Sequence, residues 1–139
     1  MLVILFVSRP GRSMPSFEGA AELREFRCSY GLTETDFIAI TKAPKLGELG
    51  AQSARISHAA IEAILMSTSL ESLDLECAGV TDELATQLAQ SSTLRSLELG
   101  GNSITSTGLK AISNMSQLQR LDIWLTDISV SDLELLGAL

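Results

Sequence analysis

Basic and aromatic side chains are both in short supply in this sequence of 139 residues, which sets ten Lys and Arg against seventeen Asp and Glu and holds one Trp, one Tyr and four Phe. A net charge of −7 repels phosphate backbones, and no Lys/Arg run with interleaved aromatics overrides it, so nucleic acid is excluded as a partner. Two cysteines, Cys28 and Cys77, stand far apart without CxxC or Cys/His spacing. That excludes a disulfide framework and a zinc site, and a reducing compartment, the cytoplasm, is the simpler expectation. The single histidine, His58, cannot build a metal site without carboxylate help. Only Glu62 stands at helical spacing to it, which makes an ordinary i, i+4 surface pair. The glycines of "GELGAQS" and "ELGGNS" lack the lysine and the strand–loop–helix context of a phosphate loop. Cys28 falls in a core position and reads as an inert buried thiol. No cofactor, no metal and no catalytic activity is expected.

Long apolar runs are missing as well. The run that opens the chain, "MLVILFV", is seven residues, too few to span a bilayer, so no membrane association is expected. It fits a signal peptide poorly, because its basic residues, Arg9 and Arg12, come after it and no small-residue cleavage site follows. Secretion stays open on this ground, beside two other readings: an apolar strand left from a truncated element, or a natural start at Met14.

What the sequence does have is repetition. An apolar content of 45% suits one continuous core, and the apolar residues recur with a period of 24, in frames 44–67, 68–91, 92–115 and 116–139. A fifth frame, 21–43, fits with one residue deleted before Leu32. The third place of the frames holds Leu23, Leu46, Leu70, Leu94 and Leu118. The sixth holds Phe26, Leu49, Leu73, Leu97 and Leu121, and the eighth Cys28, Ala51, Leu75, Leu99 and Ile123. The thirteenth holds Leu32, Ile56, Val80, Ile104 and Ile128. Later come Phe37, Ile61, Ala85, Leu109 and Leu133, then Ile40, Ile64, Leu88, Ile112 and Leu136. Every member of all six columns is apolar, which a chance register on a half-apolar background does not produce.

The spacing assigns the elements. Places six and eight are two apart and share one side of a short strand, whereas the last two columns are three apart, as on one face of a helix. Between them stands a hydroxyl residue in every frame, Thr33, Ser57, Thr81, Thr105 or Ser129, suited to cap the helix for about 1 kcal/mol. Acids close behind (Asp36, Glu83, Asp132) suit the positive helix N-terminus. A single strand and helix enclose nothing, so the frames must stack, with strands about 4.8 Å apart in one parallel sheet and bulkier helices bending the stack.

This pattern resembles the leucine-rich repeat family with its LxxLxLxxxx(I/L) signature, over residues 21–139. Phrases such as "AGVTDELA" and "NSITSTGL" are similar to the ribonuclease-inhibitor-like and bacterial TDxGL varieties. The resemblance implies an α/β solenoid, a curved horseshoe with parallel strands on the concave face and helices on the convex face, acting as a non-catalytic protein-binding scaffold. Family members often place an Asn three residues after the last strand leucine. Only Asn102 matches, with Ala54, Ala78 and Thr126 elsewhere, so the turns on that edge are expected to be looser.

In the family, strand residues between the core leucines contact ligands. Mapped onto this chain they give Arg27, Gly50, Asp74, Glu98 and Asp122 at the seventh place, Gln52, Glu76, Gly100 and Trp124 at the ninth, and Arg120 at the fifth. Asp74, Glu76, Glu98, Arg120, Asp122 and Trp124 form the candidate partner-binding set. Like charges 5 Å apart repel by about 0.8 kcal/mol in water and about 3 kcal/mol at an effective dielectric of 20. The acid ladder is either a groove for a protein with a basic surface or a solvated face compensated by Arg120 and Arg95. Trp124 is either an interface anchor or a cover for the last repeat, and with Leu125 beside it both readings predict an exposed apolar patch at the C-terminal end. His58 is expected as a solvated first-turn residue.

Residues 1–20 read as an apolar segment and degenerate half-repeat, with Met14 and Phe17 at the spacing of the two helical columns. "LELLGAL" leaves apolar side chains where another repeat would dock. The chain is therefore expected to be a segment of a longer array, lacking flanking repeats, or to self-associate end to end. The alternative to a free-standing scaffold is the substrate-recognition part of a larger enzyme, such as a ubiquitin-ligase adaptor or a bacterial effector.

Overall fold

The computed structural model describes residues 2–6, 17, 19–29 and 32–138. Six parallel strands form one open sheet in chain order: β1 (Leu2–Phe6), β2 (Leu23–Cys28), β3 (Glu48–Gly50), β4 (Ser72–Asp74), β5 (Ser96–Glu98) and β6 (Arg120–Asp122). Helices α1 (Glu34–Ile40), α2 (His58–Leu65), α3 (Asp82–Leu88) and α4 (Ser106–Ile112) follow β2 to β5. The strands pair without a slip from β2 onward, so that Phe26, Leu49, Leu73, Leu97 and Leu121 are successive in-register partners. This is an α/β leucine-rich-repeat solenoid: a parallel sheet with one face against the helices and the other open.

The apolar columns make the core. Leu23, Leu46, Leu70 and Leu94 are fully buried, as are Phe26, Leu49, Leu73 and Leu97, together with Phe37, Ile61, Ala85 and Leu109 from the helices. Each of these four helices is capped as its hydroxyl residue predicts. Thr33 accepts from Asp36 N in a full capping box, Ser57 from Ala60 N, Thr81 from Leu84 N and Thr105 from Thr107 N. Helices of seven or eight residues are too short to stand alone, and their stability comes from that buried face.

Four expectations are decided or changed. First, of the readings open for the initial segment the apolar strand is the one seen: β1 pairs with β2, with Ile4 opposite Phe26 and Leu5 opposite Arg27. Phe17 packs edge-on against Phe26, ring centres 5.8 Å apart, while Met14 lies outside the described residues. Second, the last frame closes in a 3₁₀ helix, Val130–Ala138, rather than an α-helix. Its columns are less enclosed: Leu133 is exposed and Leu121, Ile123 and Ile128 are only half-buried, so little packing rewards the α-helical ladder there.

Third, the turns after the strands are not looser where Asn is missing. Ser53, Cys77, Gly101 and Leu125 occupy the same place and share a positive φ of 54°, 54°, 69° and 49°. Their N–H groups link repeats, Ser53 N donating to Glu76 O, Cys77 N to Gly100 O and Gly101 N to Trp124 O, all at 2.8–2.9 Å. Backbone satisfies the turn, and the Ala side chains are not asked to. Asn102 adds to this: its Nδ2 donates to Leu75 O and Leu99 O, and its Oδ1 accepts from Val80 N. Fourth, exposed His58 turns to the neighbouring helix instead of Glu62, with Nδ1 2.7 Å from Gln87 Oε1 and Nε2 3.7 Å from Glu83 Oε1.

Candidate functional site

The strands alternate their side chains across the sheet, so with places six and eight in the core, places five, seven and nine face away from the helices. The ladder aligns the seventh places directly: Arg27, Gly50, Asp74, Glu98 and Asp122 are consecutive partners across β2 to β6. Three carboxylates from three repeats thus stand in one row at strand spacing. The open face bears them because the core leucines on either side fix the strand's pleat.

The row is not a set of bare charges. Asp74 is 7% exposed, covered by Gln52, whose Nε2 donates to Asp74 Oδ2 at 2.8 Å and to Glu76 Oε2 at 3.3 Å. Glu76 N also donates to Asp74 Oδ1 at 3.0 Å. Glu98 meets Arg120, with Nη2 3.2 Å from Oε1. Burial raises the Glu98 pKa, Asp74 adds to the rise and Arg120 opposes it, so this carboxyl holds its proton more tightly than an ordinary glutamate. Upstream, Arg27 pairs with Glu25 at 2.7 Å and with Glu48, and the Glu25 bond raises the guanidinium pKa further. Bare Gly50 between Arg27 and Asp74 leaves a hollow of about 160 Å³.

Trp124 joins this network. Its ring is 46% exposed and leans back across Gly100, so that Nε1 donates to Glu76 Oε1 at 2.8 Å, two repeats away. Trp124 N donates to Asp122 Oδ1 at 3.2 Å. Only a residue without a side chain leaves room: a β-carbon on Gly100 would stand 2.5 Å from indole Cε2 and closer still to Nε1 and Cδ1. The geometry therefore gathers Asp74, Glu76, Glu98, Arg120, Asp122 and Trp124 onto one face, in two bonded groups: Asp74, Glu76, Trp124 and Asp122 in one, Glu98 and Arg120 in the other. Gln52 and Gly100 shape this face by contact, and the sequence assigns them no role beyond their place in the ninth column. Their signal was the break in the charged and aromatic pattern at the ninth place.

Residues 67–83 and 90–113 match the family model described as Leucine Rich repeat. Those two segments are similar to leucine-rich repeats. The matched segments carry β4 with Thr81, the cap of α3, and β5 with α4, in the repeats that supply Asp74 and Glu98. No curated protein matches the chain. Leucine-rich repeat domains generally mediate protein–protein interaction, through scaffolds that are typically non-catalytic. Among the described residues, no group of three or more His, Cys, Asp or Glu is placed to hold a metal ion, and no helix is long and apolar enough to cross a membrane.

The repeats are also tied together on the helix side. Asp82, at the start of α3, reaches the next repeat: Oδ1 accepts from Thr105 N at 2.8 Å and Gly108 N at 2.9 Å, and Oδ2 from Thr105 Oγ1 at 2.6 Å. Burial pushes its pKa up, but these bonds outweigh that and leave it below the usual aspartate value. The sequence reading gave the first-turn role to Glu83 instead. Gly108 makes room for the carboxylate, since a β-carbon there would stand 2.5 Å from Asp82 Oδ1. Glu34 bonds Ser57 across the junction of the first two frames in the same sense.

Proposed function

We propose that this leucine-rich repeat chain is a non-catalytic scaffold that holds a protein with a basic surface on an acidic concave face. Asp74, Glu76, Glu98, Asp122 and Trp124 would make the contact, and Arg120 would be the internal cation that the partner displaces. The observation that carries this reading is the register of Asp74, Glu98 and Asp122 on consecutive strands. Acids about 5 Å apart cost more together than apart, and the Glu98 pKa is raised first by burial and then by its acidic neighbours, Asp74 foremost. A Lys or Arg of a partner set between them relieves it, which gives binding a favourable term that a solvated, well-spaced surface lacks. Exposed Trp124 at the end of the row offers an aromatic surface of the kind that anchors interfaces. The exposed thiol of Cys77 supports a reducing, cytoplasmic setting, and the short helix after each of β2 to β5 supports the ribonuclease-inhibitor-like variety.

The test is affinity capture with the chain and with its Glu76→Gln/Glu98→Gln/Asp122→Asn variant, followed by mass spectrometry. Asp74 is left intact because it is bonded internally to Gln52 and Glu76 N. The expected result is a partner retained by the first, lost by the second and released by salt. Capture of the same proteins by both would move the site off this face.

A further inference from the structure

The seventh column lacks a side chain at one place, in the interior of the sheet. Gly50 stands in register between Arg27 on β2 and Asp74 on β4, and it leaves a hollow of about 160 Å³ whose rim includes Ser29 and Gln52. The Arg27 stem leans over this gap, since a β-carbon on Gly50 would stand 3.1 Å from Arg27 Cγ. Two strand spacings, about 10 Å, separate Arg27 from Asp74, and no ion pair joins them across the hollow. Arg27 is turned instead to Glu25 and Glu48, and Asp74 to Gln52 and Glu76 N. A guanidinium carries more N–H donors than those two bonds use, and each carboxylate oxygen can accept more than one bond. One wall therefore keeps donors to spare and the opposite wall keeps acceptors.

We propose that this hollow binds the carboxamide of a glutamine or asparagine side chain on the partner, its carbonyl accepting from Arg27 and its NH₂ donating to Asp74. The inference rests on the concave face holding a protein. Size limits the occupant. The hollow has room for about five waters at roughly 30 Å³ each, well below the roughly 300 Å³ at which small-molecule and cofactor sites begin, and so suits the end of one side chain. Charge limits it further. An ammonium would meet the Arg27 guanidinium and a carboxylate would meet Asp74, whereas a neutral group can set its dipole along the field between the two. A Ser or Thr hydroxyl both donates and accepts, but from a single oxygen that does not reach both walls. A neutral imidazole separates donor from acceptor, but beside Asp74 it takes up a proton and becomes a cation. The carboxamide separates them and stays neutral. Asp74 already accepts from one such group, Gln52 Nε2 at 2.8 Å, so the match exists within the chain itself.

The test is an NMR titration of the isotope-labelled full chain with acetamide, acetate and acetamidinium, planar probes of one size that are neutral, anionic and cationic. Acetamide should shift the backbone signal of Gly50 and the side-chain amide signal of Gln52, and the shifts should level off as the probe is raised. Acetate and acetamidinium should each need roughly tenfold more to do the same, for about 1.4 kcal/mol of like-charge repulsion. Gly50→Leu, which fills the hollow, should abolish the response. Arg27→Met, which removes the donor wall at an exposed position, should weaken it roughly tenfold, and it decides the matter should Gly50→Leu fail to fold by circular dichroism. Acetamide shifts that never level off, or that persist undiminished in Arg27→Met, would overturn the proposal. So would tighter binding of acetate or acetamidinium, the latter giving the hollow to an arginine side chain instead. Acetamide reads the hollow with no partner present, so failure here is told apart from failure of the affinity capture.

Discussion

Replacing Gly100 by alanine should move Trp124 without unfolding the chain, and the magnitudes decide which assay can see it. The new β-carbon would stand 2.5 Å from indole Cε2 and nearer still to Nε1, so the ring must leave its place over the strand. Leaving breaks the 2.8 Å bond to Glu76, worth about 1 kcal/mol for a solvent-accessible pair. It also uncovers the buried half of the indole. A Trp buries roughly 150–250 Å² in full, so about 100 Å² is lost, or about 2.5 kcal/mol at 25 cal/mol per Å², before the ring finds a new resting place. Against this, Gly100 does not use a positive φ, and alanine at a compatible backbone position recovers about 0.4–1 kcal/mol from the unfolded state. With the ring recovering about half of that area in its new resting place, the net loss is roughly 1–2 kcal/mol, a shift of about 3–7 °C in melting temperature and a weak diagnostic alone. Fluorescence is the sharper assay, because Trp124 is the sole tryptophan and every photon reports on this corner. Gly100→Ala should shift emission to the red, raise iodide quenching and lower anisotropy, while Glu76→Gln should loosen the ring less. Unchanged emission and quenching in Gly100→Ala would show that the indole does not rest over Gly100, and would remove Trp124 from the acidic network.

Three further outcomes are expected. Gly108→Ala, which in an ordinary helix gains about 1 kcal/mol, should lose about 1–3 kcal/mol here, because its β-carbon would press on Asp82 Oδ1 at 2.5 Å and Ile104 Cγ2 at 2.8 Å. Denaturant titration of Gly108→Ala, Asp82→Ala and the double variant should show coupling, with Asp82→Ala alone costing about 2 kcal/mol. The Asp82 pKa is depressed by folding, so its contribution is present above the unfolded aspartate value and is lost as pH falls through the folded one. Asn102→Ala should cost about 1–3 kcal/mol by thermal denaturation, since it removes the side-chain partners of Val80 N and the Leu99 carbonyl in a buried turn, while the Leu75 carbonyl keeps its bond from Ala78 N. Glu98→Gln should make the chain more stable at neutral pH. The Glu98 pKa is raised by folding, so its favourable contribution is complete below the unfolded glutamate value and is lost as pH rises through the folded one. The melting-temperature difference between the two forms should therefore close on acidification, and a constant difference across pH would contradict a Glu98 pKa raised by burial and by Asp74.

The fold was legible because six apolar columns must be filled for each repeat to pack on the next, and a fixed step of 24 residues reads all of them at once. Strand β1 escaped that reading for a geometric reason. It lies 22 residues before its partner, Ile4 opposite Phe26, and its register shifts between Leu2 and Val3. Its uniformly apolar sequence has no alternation to give it away. The candidate site was legible as a set of positions but not as a network. Which residues face outward follows from the pleat, whereas the bond from Trp124 to Glu76 spans 48 residues and depends on Gly100 having no side chain. The Asp82 clasp hid for a similar reason. Its signal is an acid in one frame and a glycine 26 residues later, and neither breaks the local pattern.

These long-range links also explain why the last repeat differs from the others although its sequence follows the same template. The N–H groups at places eight and ten satisfy themselves on the following repeat, not within their own, as the bonds from Ala51 to Asp74 and from Ser53 to Glu76 illustrate. A leucine-rich repeat is therefore completed by its neighbour, and local sequence fixes only half of its structure. In the 116–139 frame the columns are present, but the side facing away from β5 has no described strand against it. The outcome is a half-buried Leu121 and a 3₁₀ helix where α4 has an α-helix. The same logic ranks the perturbations. Asn102 and Asp82 each bridge two repeats in the interior, so their loss weakens a junction on which both neighbours depend. Trp124 lies exposed on the open face and bridges by its side chain to Glu76, which is why moving it should change what the face presents to a partner far more than whether the chain stays folded.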